Sequence, residues 1–396
     1  MNCPQVYAQQ AVSDSNVPAW SDPARRNRNN FDFLRLLFSV AVIISHSFAT
    51  LGKNEEPLAR LSNGRYLFGG LAVNGFFIIS GYLIAASFVR SPRFFDYLSR
   101  RIRRIYPGFI VAVGVTLFFG YVAGAYQMPA GEFLKEAGKA LVSTMTLTPY
   151  QPPFAFSSNP ISVFNASLWT IRPEFTCYLL LALVFQLRRT AHRMLMLLIL
   201  PLISSALEIS FTTSGQSFLT ALRPYIPSIA NPDWPLRLWF SFAIGAGMYL
   251  YGHRVPYRHS LAAVALVLMV FLQVTPFPRL SAFLAAVPFA YLVFWFAYNP
   301  FIRLRDFGHF GDFSYGIYLY GFPVQQILVL FLAPLLNPYT LILLSIAILF
   351  PIAAMSWFLV ERPCLTSRRR QRIDLNYYKT ELDRSKESVG AVSPLR

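Results

Sequence analysis

Long apolar runs, each broken by a short polar connection, recur along almost the whole chain. The first, "NFDFLRLLFSVAVIISHSFATL" from Asn30 to Leu51, sets the type. A helix needs about 20 mainly apolar residues to cross a hydrocarbon core of roughly 30 Å. On that rule the pattern predicts ten spans, at about 31–51, 67–89, 107–126, 167–187, 193–211, 236–252, 260–276, 280–298, 313–335 and 339–361. No internal repeat and no second soluble domain is visible between them. The expected fold class is all-α, a polytopic integral membrane helical bundle of about ten transmembrane helices.

Composition sharpens this picture. Of 396 residues, 55% are hydrophobic and 13% charged, against about 25% charged in a soluble globular protein, and the mean hydropathy is +0.44. The formal charge of +17 would suit nucleic acid on its own. Its placement argues for a membrane instead, so no nucleic-acid partner is expected. Arginines crowd alternate connections: Arg25, Arg26 and Arg28, then 90–104, then Arg188, Arg189 and Arg193, then Arg254, Arg258, Arg303 and Arg305, then Arg362 and "RRRQR" at 368–372. The intervening connections hold few cations, among them Lys53, Arg60, Arg65, Lys135, Lys139, Arg223 and Arg279. Cytoplasmic loops carry the Lys/Arg excess, so both termini are expected in the cytoplasm of a chain that crosses its membrane many times. Residues 1–30 read as a cytoplasmic extension, 31–363 as the membrane domain and 364–396 as a basic, polar tail, both ends disordered. The connections 127–166 and 212–235 are expected to cap an outer mouth. Cys3, Cys177 and Cys364 have no metal-ligand spacing, so neither a disulfide framework nor a metal site is implied.

Two residues of the first span are out of place in hydrocarbon. Arg35 and His46 are eleven residues apart. At 100° per residue they fall about 20° from one another around the helix and roughly 16 Å apart along it. Ionisable groups inside spans cost a few kcal/mol unless partnered, so that shared face should look into a cavity or the bundle interior. Arg35 snorkelling and His46 bonding a neighbouring helix is the bland explanation. A neutral imidazole poised as a general base, worth about 10²- to 10⁴-fold in rate, is the sharper one.

The Arg-x10-His arrangement is followed, in order, by "NGFFIISGYLI" (74–84), "YLSRRIRRIYPGF" (97–109), "SLWTIRPEFTCYL" (167–179), "GDFSYGIYLYGFPV" (311–324) and "ERP" (361–363). Together these stretches resemble the membrane-bound acyltransferase-3 family, integral-membrane O-acyltransferases that decorate bacterial surface glycans and other acceptors, and the resemblance implies a bacterial inner membrane as the location. Many members carry a His where this chain has Gly321, so that His's role does not transfer. Some members append a soluble esterase-like domain; this chain resembles the stand-alone type. The resemblance implies transfer of an acyl group, most often acetyl from acetyl-CoA, to a hydroxyl, with His46 as base and Arg35 assisting either the donor or the His. Acetyl-CoA or another acyl-CoA is then a co-substrate, with no permanently bound cofactor. The other partners are a carbohydrate or glycolipid acceptor and membrane lipid; oligomeric state is not legible.

The remaining polar residues divide between chemistry and architecture. Arg100, Arg101, Arg103 and Arg104 suit the pyrophosphate and 3′-phosphate of CoA through forked bonds, or are topogenic charge on anionic lipid. Glu174 is expected to be catalytic, holding the acceptor or orienting His46, unless it pairs locally with Arg172. Pro173 beside it can open the helix. Asn74, Trp169 and Arg172 are candidates for the acceptor site or cavity wall; for Trp169 the alternative is an interfacial anchor. Ser314 and Tyr315 are candidates for the donor's pantetheine, with helix capping by Asp312 or Ser314 as the plainer reading. Gly75, Ser80 and Gly81 read as close-packing residues. A proton-coupled secondary transporter and a lipid-linked-sugar glycosyltransferase are the rival functions. The first wants repeated halves with paired broken helices, the second a paired acidic motif, for which only Glu55 and Glu56 offer themselves.

Overall fold

The computed structural model describes residues 20, 28–53, 56–126, 128–153, 155–186, 233–276 and 278–365. Ten helices organise them: α1 (Phe31–Thr50), α2 (Phe68–Arg90), α3 (Phe94–Val122), α4 (Ala130–Ser143), α5 (Ile171–Val184), α6 (Asp233–Tyr251), α7 (His259–Phe271), α8 (Ala286–Ala297), α9 (Ser314–Leu332) and α10 (Pro338–Ser356). Among the described residues there is no strand, only an isolated bridge between Tyr126 and Ala155. Six segments are long and apolar enough to cross a membrane: Phe31–Thr50, Phe68–Arg90, Phe94–Val122, Leu280–Ala297, Ser314–Leu335 and Pro338–Leu365. The protein is an all-helical, multi-pass membrane protein. The span predicted at 193–211, most of the N-terminal extension, the connection 212–232 and the tail beyond Leu365 lie outside the described residues.

Close backbone approach builds the centre. A Cβ on Gly81 would lie 2.0 Å from the Phe242 carbonyl oxygen, and one on Gly245 1.9 Å from that of Ile78. Small residues therefore let α2 and α6 touch through their main chains, as packing in hydrocarbon favours. Gly75 accommodates the ring of Phe38 from α1 in the same way.

α1 and α9 run parallel and are bonded along their length. Arg35 Nη1 lies 2.5 Å from Asp312 Oδ2, just before α9. Ser39 Oγ donates to the Ser314 carbonyl at 2.8 Å. Further along, Gln325 Nε2 donates to the Ile43 carbonyl (2.9 Å) and to Ser47 Oγ (2.6 Å). Residues 35, 39, 43 and 47 form one i,i+4 ridge, so this is a single helix face.

The segment expected at 167–187 is assembled differently from a simple span. α5 has 14 residues, roughly 21 Å, too short for the core by itself. A 3-10 turn, Ala166–Thr170, leads into α5, and the chain before that turn is irregular. Phe156 N–H donates to the Ala125 carbonyl (2.9 Å) at the end of α3, and the chain then runs down α9. Gln326 Nε2 donates to the carbonyls of Ile161 (2.7 Å) and Val163 (2.8 Å). Asn165 Nδ2 donates to Leu319 O at 2.9 Å, and that carbonyl is the one left without its helical donor by Pro323. Irregular backbone at membrane depth survives only when protein satisfies it.

The connection 127–166 therefore does more than cap. α4 descends beside α3: Phe133 stacks on Tyr121 with ring centroids 4.2 Å apart, while Tyr106 OH donates to the Met145 carbonyl (2.9 Å) near the other end. Residues 106 and 121 are roughly 22 Å apart along α3. The ring contact at one end and the hydrogen bond just past the other hold α4 along the span.

Candidate active site

α3 carries Arg100, Arg101, Arg103 and Arg104 within an arc of roughly 160°, wide enough that no single neighbouring helix can take all four. Together with Arg35 from α1 they line one cavity of about 530 Å³, closed by α2, α5 and the start of α9. Arg100 Nη2 and Arg101 Nε are buried there without a hydrogen-bond partner. Arg101 also donates to Ser87 Oγ (3.3 Å), and Arg103 is exposed at the mouth.

Glu174, from the first turn of α5, lines the same cavity. It accepts from Ser80 Oγ (3.2 Å) and from Tyr178 OH. Pro173 is inside the first turn of α5, where the missing N–H costs little, and it does not break the helix. Neither of these partners is His46 or Arg172. Gly69 meets Ser45, the neighbour of His46, and Ser80 lies eleven residues further along α2, roughly 16 Å. The expectation that Glu174 orients His46 is corrected on that distance; Glu174 belongs to the arginine end.

Ser314 and Tyr315 both line the cavity. Their hydroxyls are engaged within the protein: Ser314 Oγ donates to Asp312 Oδ1 (2.5 Å) and Tyr315 OH to the Ile105 carbonyl (2.9 Å). No side chain caps α9, so the capping reading of Asp312 and Ser314 is set aside. Asn74 does not reach this cavity. It lines a separate one of about 210 Å³ near Arg65 and Arg237 and accepts from Ser241 Oγ (3.0 Å). Arg172 turns away to Thr148 Oγ1 (3.4 Å), and Trp169 is partly buried against the core; neither lines the arginine cavity.

His46 is held on the face of α1 that meets α9. Its Nδ1 is buried without a hydrogen-bond partner, and its ring sits edge-on to Phe322 with centroids 5.1 Å apart. The cavity reaches Tyr318 of α9; Phe322 is one helical turn further on. Neither Phe322 nor His46 lines the arginine cavity.

Sequence reading missed the carboxylates that hold the arginines. Asp312 Oδ2 takes both Arg35 and Arg104, and Glu361 Oε2 lies 3.7 Å from Arg104 Nη1. Glu361 belongs to a π-helical turn, Trp357–Glu361, and is 2% exposed. Its signal was present, a lone carboxylate closing an apolar run. Among the described residues no cluster of His, Cys, Asp and Glu could hold a metal ion.

A family model described as an acyltransferase domain matches residues 28–361. An O-acetyl transferase of Shigella phage Sf6 is 28% identical over 348 residues, covering 85% of this chain and 96% of that protein. Nodulation protein 10 of Rhizobium leguminosarum bv. viciae is 28% identical over 380 residues, covering 86% and 94%. No solved structure gives a significant match.

Proposed function

This chain belongs to the acyltransferase-3 family, and on that premise we propose that it moves an acetyl group from acetyl-CoA to a hydroxyl of a carbohydrate or glycolipid acceptor at a bacterial cell surface. It is an acyltransferase, and the likeness to a phage O-acetyl transferase supports transfer to oxygen. The observation that carries the donor assignment is the cavity itself: about 530 Å³, walled by arginines at one end and running between apolar helices toward Tyr318. CoA presents phosphates, which arginine meets with forked, charge-assisted bonds, joined to a long neutral arm that needs a narrow slot.

The donor's phosphates rest on Arg100, Arg101 and Arg103, and the thioester extends past Ser314 and Tyr315. The arginine end faces the cytoplasm of a ten-span protein with both termini there, because the charge asymmetry of its connections runs that way. The acceptor approaches from the opposite end. Turning of the Phe322 ring joins the two compartments. His46 takes the proton of the acceptor hydroxyl, the oxygen attacks the thioester carbonyl, and the C–S bond breaks. The imidazolium returns the proton to the departing thiolate, leaving the O-acetyl ester and free CoA. Glu174, bonded to Ser80 and Tyr178, is a catalytic-cavity residue that fixes the wall facing the thioester.

The test uses the full chain in lipid nanodiscs with acetyl-labelled acetyl-CoA. Wild type should consume the thioester in the presence of acceptor, and His46→Ala should lose at least about 10²-fold of that rate with unchanged expression and insertion. Full activity in His46→Ala would refute the base. A transporter or glycosyltransferase would leave the thioester intact.

A further inference from the structure

The spacing of Arg35 and His46 invites the reading that Arg35 is a donor ligand. Its surroundings say otherwise. Asp312 Oδ2 receives Arg35 Nη1 (2.5 Å) and Arg104 Nη2, while Oδ1 receives Ser314 Oγ (2.5 Å). Burial alone would raise the Asp312 carboxyl, but the guanidiniums of Arg104 and Arg35 outweigh it and hold it well below the usual carboxylate range. Glu361 backs Arg104 from the other side and is itself held by Ser356 Oγ (3.1 Å). Asp312 and Glu361 thus answer the charges of Arg35 and Arg104 inside the protein. Arg100, Arg101 and Arg103 remain in the cavity to meet an anion.

The backbone carrying Asp312 is shaped for this contact. Gly311 adopts φ +122°, a conformation that residues with a side chain rarely adopt, and a Cβ there would lie 2.6 Å from the Trp357 indole. The elbow before α9 is thus fitted between α1 and the π turn. From it the α1–α9 ridge runs without interruption: Arg35 to Asp312, Ser39 to Ser314, Ile43 and Ser47 to Gln325. His46 lies on that same face, against Phe322.

We propose that Arg35 is a positioning residue: with Asp312 it latches α1 onto α9 and so sets where His46 stands against Phe322. This rests on the acetyl-transfer reading for its kinetic consequence, but the latch itself does not. Donor phosphates fall to Arg100, Arg101 and Arg103. The eleven-residue interval then measures the distance from the latch to the base.

Arg35→Gln, Asp312→Asn and the double variant should each lower kcat at least tenfold while KM for acetyl-CoA stays within twofold. The double should be no slower than the slower single. Arg100→Gln should do the reverse, raising KM several-fold. A tenfold rise in KM for Arg35→Gln with kcat held, or single effects that multiply in the double, would overturn the latch. A second readout needs no turnover. In ¹⁵N-histidine spectra, with His46→Asn identifying the resonance, Arg35→Gln and Asp312→Asn should move the His46 signal alike. An unmoved signal in both overturns the proposal even where acetyl-CoA proves not to be the donor. Failure of wild type to consume acetyl-CoA, with the His46 signal moving as expected, would strike the donor assignment and leave the latch standing.

Discussion

An imidazole nitrogen enclosed without a partner, as Nδ1 of His46 is, costs free energy of about 1–3 kcal/mol. On the acetyl-transfer proposal, the proton of an acceptor hydroxyl is what this nitrogen takes up. On that proposal Phe322, whose ring packs edge-on against the imidazole, gates the approach from the arginine cavity. Phe322→Ala should let water reach the thioester beside His46. Thiol release from acetyl-CoA without acceptor is expected to rise several-fold, read with a colorimetric thiol reagent. A rate equal to wild type would remove Phe322 as a gate. Both residues sit in stretches that stood out in the sequence, but nothing in the one-dimensional pattern placed the phenylalanine against the histidine.

At the scale of elements, the non-helical stretch before α5 shows how a proline in one helix is answered by a side chain from another segment. Pro323 leaves the Leu319 carbonyl without a donor, and Asn165 Nδ2 fills the gap. Asn165→Leu should therefore destabilise the protein by about 1–3 kcal/mol, seen as an earlier unfolding transition in detergent; an unchanged transition would show that water serves the carbonyl instead. The α2–α6 contact is less forgiving. Any side chain at Gly81 or Gly245 meets a carbonyl oxygen, not a movable rotamer. Gly245→Leu should abolish the folded, monodisperse species on size-exclusion chromatography, and a well-behaved peak would refute the close contact. Hydropathy located α2 and α6 to within a few residues. It read the irregular 155–165 stretch only as part of a connection, not as a length of chain lying along α9. Irregular backbone leaves no periodic signature and depends on partners far along the chain.

At the scale of the molecule, charge and apolarity separate along α3. The cavity's arginines gather at one end, and the run from Ile105 to Val122 carries no Lys, Arg, Asp or Glu. If the arginine end is cytoplasmic, Ser91→Cys in a background lacking native cysteines should resist a membrane-impermeant thiol reagent in intact cells and react after permeabilisation. Leu61→Cys, at an 82% exposed position beyond the opposite end of α2, should react in both. The reverse pattern would invert the topology.

Apolar run lengths, the alternation of basic connections and the pairing of Arg35 with His46 on one helix face were all determined by the sequence, because each follows from helix periodicity or from the cost of charge in hydrocarbon. The family resemblance rested on motifs equally legible there. What Arg35 faces was decided only in three dimensions, where Asp312, 277 positions away in the chain, takes it up together with Arg104. So was the separation of Glu174 from His46, and the packing of Phe322 against the imidazole. Partners of that kind are set by how helices pack, and packing in a membrane depends on which small residues allow backbones to meet, a property shared between distant segments and carried by neither alone.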